Sequence, residues 1–339
     1  MRTDQKQGQT TFFSIVGRTA KRGLSLIFAA SLLWVAREAL AQYPNKPIKV
    51  LIGVPPGGPT DTLARAVAPD LAEALGQPVV IENRPGASAV IATEQLAKAP
   101  PDGYTLGFIY ITHATNPTLM SKLPYDTLRD FAPVSMVGQQ SMVLLAHPSF
   151  PANSVQELIA AAKANPGKVD YGASDSGSAP HLAGELFKMM GGIQLTPIYY
   201  KGTAPAMTDL IAGHIPVMFV SNISALPHVK SGKLKALAVT GAQRTPLAPD
   251  IPTVTESGLP GYEVYGWYGF AAPARTPRAI VDRLYGEVAK IARNPTMKSR
   301  LAGQGLELVG SSPEQFDAFI RAELAKWSSV LKAAGVKAE

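Results

Sequence analysis

The sequence predicts an α/β protein with a parallel sheet, crossover helices and two lobes, and three observations carry that reading. From Pro47 onward, short β-rich apolar runs alternate with alanine-rich helical ones, the pattern of strands joined by crossover helices. The punctuation is chemically explicit: Pro100-Pro101-Asp102-Gly103, Asn165-Pro166-Gly167 and Gly258-Leu259-Pro260-Gly261 combine a fixed φ with permission for positive φ. A proline- and turn-rich stretch, 244–261, then precedes a strand-like run, 262–271, that reads as a second crossing between lobes. This implies a discontinuous first lobe, 43–141 plus 264–339, a second lobe at 142–263, and a hinge made by the two crossings.

In chain order, residues 1–41 read as a secretory signal peptide. Arg18, Lys21 and Arg22 form the basic end, 24–36 is an apolar run, and Ala39-Leu40-Ala41 supplies small residues for cleavage before Gln42. The apolar run is shorter than the roughly 20 residues a relaxed bilayer span needs. Strands are expected at 49–54, 79–82, 104–110, 142–146, 169–173, 215–219 and 234–239. The first helix, 60–75, places Leu63, Ala66, Val67, Leu71, Ala74 and Leu75 on one face, with a kink or break expected at Pro69.

Charge and cysteine content exclude several functions. Of the 32 Lys+Arg and 25 Asp+Glu, six basic and two acidic residues lie in 1–41, leaving 26 against 23 and a net charge of +3. With no basic run after residue 41, a nucleic-acid surface is not indicated. The absence of cysteine excludes disulfides, zinc-thiolate sites, a thiolate nucleophile and a lipid-anchored cysteine. A periplasmic protein is the simplest reading.

Two segments share one architecture. In VPPGGPTDTLAR, 54–65, a strand empties into a glycine-rich turn and a helix, so Gly57, Gly58, Pro59, Thr60 and Asp61 can either cap a tight turn or offer an anion the helix N-terminus. Pro59 stands where a phosphate-binding loop needs lysine, and the dinucleotide fingerprint is missing, so nucleotides are discounted. In YGASDSGSAPHLAGELF, 171–187, Ser174, Asp175, Ser176, Gly177 and Ser178 form a second strand-turn-helix junction. Two such turns facing one another would clamp an anion from both sides. The serines lack the Gly-x-Ser-x-Gly elbow, and His181 falls on the first helical turn, as a surface or packing residue. His113, His147, His214 and His228 show no metal-ligand spacing, so neither a metal nor a cofactor is expected. Trp267 reads as core.

The ordered series GVPPGGPTDTLAR, VVIENRPGAS, PPDGYTL, NPTL with LPYD, DFAPVSMVG, GSAPHLAGELF, YKGTAP, GKLKALAVT, IPTVTESGLPGYEV and APARTP resembles the Bug-type extracytoplasmic solute receptors of tripartite tricarboxylate transporters. The resemblance implies a type II periplasmic-binding fold that closes on a small carboxylate held between the two turns, often through ordered water. It implies no enzyme activity, and membrane transporter subunits as partners of a monomeric receptor. Thr112 and His113 are further candidates for the cleft wall. A sensor that signals to a membrane partner without import would use the same scaffold. Three departures stand out: Asp175 where such receptors usually have glycine, Val220-Ser221 where an acidic residue and Asn are common, and Tyr199 in place of proline. Val220 and Tyr199, with Tyr110, imply less polar walls and a ligand with an apolar body, such as an aromatic mono- or dicarboxylate, whereas the charge of Asp175 would repel a nearby carboxylate unless it points away or meets an amine.

The cleavage reading predicts that exported protein begins at Gln42. N-terminal sequencing checks it, and retention of 1–41 in a membrane fraction would overturn it.

Overall fold

The apolar runs that the sequence writes without alternation are buried on both faces. In 142–146, Leu144 and Ala146 join one core while Val143 and Leu145 join another, and the same split separates Val217 and Phe219 from Met218 and Val220. Successive strand side chains point to opposite faces, so an unbroken apolar strand demands a layer on each side. The computed structural model describes residues 43–336, and the expected signal segment lies outside them. Of these, residues 46–336 form one compact unit.

The first half runs β1 (Ile48–Ile52), α1 (Pro59–Leu75), β2 (Val79–Asn83), α2 (Val90–Ala97), β3 (Thr105–Tyr110), α3 (Thr112–Leu119) and the long β4 (Phe131–Ala146). Next come α4 (Val155–Ala164), β5 (Asp170–Ala173), α5 (Ala179–Gly191), β6 (Thr196–Tyr199), α6 (Thr203–Ala212), β7 (Val217–Ser221), α7 (Asn222–Lys230) and β8 (Lys235–Val239). The chain then returns through β9 (Tyr265–Pro273), α8 (Arg278–Arg293), α9 (Pro295–Ala302), β10 (Glu307–Leu308) and α10 (Pro313–Ala333).

The strand order is β2-β1-β3-β9-β4-β7-β5-β6, with β8 and β10 also pairing β4. The flanks β2-β1-β3 and β7-β5-β6 are parallel, as expected of crossover units. The middle is not: β9 runs antiparallel to both β3 and β4, and β4 antiparallel to β7 and β8. The reason is the length of β4, whose pairing with β9 ends at Ser141↔Tyr265 and whose pairing with β7 begins at Met142↔Ser221. A strand that passes straight from one sheet into the next needs no crossover helix. Residues 131–141, with Pro133 and Gly138, hid this extension from the sequence pattern.

Helix α1 runs unbroken through Pro69, contrary to expectation. Pro69 is exposed, so the Arg65 carbonyl deprived of its helical donor lies on the solvent side. At the other end of the chain, α10 starts with a capping box between Ser312 and Gln315 and packs on β4, α3 and α5. Its Glu323 accepts hydrogen bonds from two buried indoles, Trp267 Nε1 at 2.9 Å and Trp327 Nε1 at 2.7 Å. Trp267 stands on β9 just beyond the crossing, so one carboxylate fixes both tryptophans and the strand between the sheets.

Glu323→Ala would orphan two buried donors and is expected to cost roughly 2–4 kcal/mol in urea unfolding, whereas Glu323→Gln, which keeps an acceptor, should cost less than half of that. Equal losses in the two variants would show that the indole bonds do not hold β9.

Candidate ligand-binding cleft

In open α/β sheets ligands bind beyond the carboxyl ends of the strands, where the chain turns away to opposite sides. Here β1, β3, β5 and β7 all end at the border between the two sheets. The cavity there encloses about 260 Å³. From the first sheet it receives Val54, Pro59, Thr60, Tyr110, Ile111 and Thr112, and from the second Ser174, Asp175, Ser176, Ser178, Val220 and Ser221. The crossing strands supply its floor through Gln140, Met142, Trp267 and Tyr268.

The structure thus brings Pro59, Thr60, Thr112, Ser174, Asp175, Ser176 and Ser178 to one cavity. Gly57, Gly58, Asp61, Gly177 and His113 are not in its lining, and each has another task. Asp61 is buried and its carboxylate is fully engaged: Gly57 N–H donates to it at 3.0 Å, Arg65 Nε at 3.0 Å and Asn83 Nδ2 at 2.9 Å. Burial alone would raise its pKa, but the bonds from Arg65, Asn83 and Gly57 outweigh this and hold the carboxyl below its ordinary value. Asn83 also donates to the Val54 carbonyl at 3.0 Å, so Asp61 and Asn83 together set the first turn. Gly57 has φ +96°, open to glycine, and Gly58 is the helix N-cap without a side-chain cap.

The second turn is set from beneath by His181, which is fully buried rather than on the surface. Gly177 N–H donates to His181 Nδ1 at 3.1 Å, so Nδ1 carries no proton, and Nε2–H faces the Tyr199 hydroxyl at 3.0 Å. Those two contacts define a neutral ring, and burial pushes its pKa down to about 4. Ser178 caps α5 and its hydroxyl donates to the Asp175 carbonyl at 2.6 Å. Gly177, at φ +75°, lies so close to α3 that a Cβ would meet Leu119 at 2.3 Å, and its carbonyl accepts from Thr115 Oγ1 at 3.4 Å. The absence of a Cβ at 177 is therefore a packing requirement between the sheets.

His113 sits behind the wall, not in it. Its ring packs edge-on to Phe131 at 5.0 Å and stacks with Tyr125 at 6.4 Å, and burial again pushes its pKa down to about 4. Tyr199, half-exposed, supports His181 and is not part of the lining, and Val220 is 1% exposed, packing in the core beneath the second sheet while bordering the cleft. The sequence reading missed Ser88, Gln140, Thr203 and Tyr268, and assigned Trp267 to the core alone. Ser88 had a signal in Arg84-Pro85-Gly86: Ala87, Ser88 and Ala89 are three successive non-glycine residues at positive φ, beside Gly53, where a Cβ would meet Ala89 at 2.3 Å. Tyr110, whose hydroxyl donates to the Gly53 carbonyl at 3.4 Å, has its pKa pushed up to about 12, chiefly by burial.

A two-lobed α/β scaffold with a cleft at the carboxyl ends of both parallel flanks defines a solute-binding protein. Residues 63–336 match the tripartite tricarboxylate transporter family receptor, TctC; the chain belongs to that family, whose members are periplasmic binding receptors and not enzymes. It is 36% identical over 316 residues to Protein BugT of Bordetella pertussis, covering 92% of this chain and 96% of that one. The R. palustris protein Rpa4515 with adipate is 37% identical with a TM-score of 0.79, over 88% of this chain and 100% of that one. MatC (Rpa3494) from Rhodopseudomonas palustris with bound malate is 31% identical with a TM-score of 0.74, over 85% and 100%.

Both buried histidines stay neutral in the folded chain, while in the unfolded chain they take up protons near their ordinary value of 6.5. Stability is therefore fully present above about pH 6.5 and falls as the pH drops toward about 4, by up to roughly 3 kcal/mol for each ring. Melting temperatures across this interval should decline, and less steeply in His181→Gln. A flat profile would mean the rings are charged in the fold.

Proposed function

We propose that this receptor captures a small carboxylate in the periplasm, between lobes formed by 43–141 plus 264–339 and by 142–263, and hands it to the membrane subunits of a tripartite tricarboxylate importer. The ligand would touch Thr60 and Thr112 on one side and Ser174, Ser176 and Ser178 on the other. The strand crossing at Ser141–Met142 and the return into Tyr265 would act as the hinge of a monomeric clamshell. The observation that carries this reading is the pair of strand-to-helix turns, one from each sheet, bordering one cavity. Hydroxyls and helix N-termini are neutral donors that hold a carboxylate without a cationic side chain.

The finer reading is an acid with a substantial apolar body, an aromatic mono- or dicarboxylate. The support is the wall between the turns: Tyr110, Trp267 and Tyr268, with Ile111, Met142 and Val54. Burying an apolar body there gains about 25 cal/mol for each square ångström, while the extra hydroxyls of a short polyacid would lose water without enough partners. Adipate, bound by Rpa4515, has a hydrocarbon body between its acids; malate, bound by MatC, is short and hydroxylated, so family membership alone does not choose between them.

Calorimetry with terephthalate, benzoate and protocatechuate against citrate, succinate, glutamate and aspartate tests the choice. An aromatic acid is expected to bind most tightly. A short aliphatic acid that binds about tenfold tighter than every aromatic one, a difference of about 1.4 kcal/mol, would reject the aromatic reading.

A further inference from the structure

We propose that Asp175 is a specificity residue that selects ligands carrying a protonated amine as well as a carboxylate. The inference rests on the cleft being the binding site, and names the second functional group of what binds there.

The backbone of Asp175 is committed to the turn. Its N–H donates to Ser178 Oγ at 3.3 Å, and its carbonyl accepts from the Ser178 amide at 3.1 Å and hydroxyl at 2.6 Å. Its carboxylate has no hydrogen bond or ion pair among the described residues, although it borders the cavity. The nearby carboxylates behave differently. Asp61 is held by three donors, and Glu185 accepts from the Tyr171 hydroxyl at 2.7 Å and from Lys188 Nζ at 2.8 Å. Among the described residues, no Lys, Arg or His belongs to the cavity lining. Asp175 is thus an uncommitted anion in a cleft whose other polar groups are neutral.

The charge of Asp175 is felt across the cleft, where it opposes ionisation of the Tyr110 hydroxyl on the facing sheet. Asp175 is exposed at the cleft, and partial burial there already disfavours its own charged form. A ligand that closes the cleft removes more water. A dicarboxylate would then place its second charge near an unpaired anion, and a monocarboxylate would leave that anion without a partner. An ammonium group ends both problems, and it gives the site a polarity: carboxylate toward Thr60 and Thr112, amine toward Asp175. Since the Asp175 side chain holds nothing in place, replacing it leaves the turn's own bonds intact.

Two matched sets of probes test this by calorimetry at pH 7.5 on the wild type, Asp175→Asn and Asp175→Gly. The aromatic set is 4-(aminomethyl)benzoate, terephthalate and 4-methylbenzoate; the aliphatic set is 4-aminobutyrate and glutarate. In at least one set the wild type is expected to bind the amine-bearing acid at least about tenfold more tightly than the dicarboxylate, and both variants should lose that ratio. A wild type that favours the dicarboxylate in both sets, or a ratio unchanged in the variants, overturns the proposal. So does terephthalate binding that weakens in Asp175→Asn, which would make Asp175 a proton donor to a second carboxylate. If terephthalate and 4-methylbenzoate bind while both amines fail, the aromatic reading stands and this one falls. If 4-aminobutyrate binds through Asp175 while no aromatic acid does, the reverse holds. Binding of no probe overturns both.

Discussion

One strand shared by two sheets is the constraint from which the rest of the molecule follows. Strand β4 hydrogen-bonds to β9 as far as Ser141 and to β7 from Met142, with no loop at the change of partner. Because β9 returns antiparallel beside it, the two parallel flanks meet with their carboxyl ends on a common border. The turns after β1, β3, β5 and β7 then have one cavity to line. Trp267 and Gln140 belong to that cavity because they stand on the crossing strands themselves. Gln140 Nε2 donates to the Tyr268 hydroxyl at 2.7 Å, and Glu323 holds Trp267 from behind, so these floor side chains have fixed partners beside the crossing.

The polar groups around the cleft divide by task. Asp61, which the sequence offered to a ligand, is spent instead on its own turn, and Asn83 and His181 likewise bond the backbone of the two turns and neighbouring side chains. A turn held in this way presents its hydroxyls and free amides in a fixed geometry before any ligand arrives, which lowers the ordering cost of binding. Ser88 adds a third element. Its carbonyl accepts from Asn116 Nδ2 at 2.9 Å, one of the contacts that retain a left-handed run costing about 1–2 kcal/mol for each non-glycine residue.

The alternation of apolar runs and the Gly/Pro punctuation were enough to read the α/β class, since burial on both faces of a strand leaves a local mark. The two turns were legible for the same reason: glycine, proline and serine at a strand-to-helix junction have local causes. The reversal of β4 and β9 was not, because strand direction is set by pairing partners far apart in the chain, and residues 131–141 carry proline and glycine that weaken the strand pattern.

Within the site, the sequence by itself determined which residue types stand at the two turns, and its resemblance to the receptor family marked Asp175 as standing where glycine is usual. Only the tertiary structure decided their tasks. Asp61 faces its own turn because Arg65 and Asn83 reach it there; His113 is core because Tyr125 and Phe131 enclose it; and Tyr199 leaves the cleft because its hydroxyl meets His181. In each case the partner is brought by packing between elements. Local spacing fixes where a side chain begins, but its surroundings are made by segments that sequence distance does not relate.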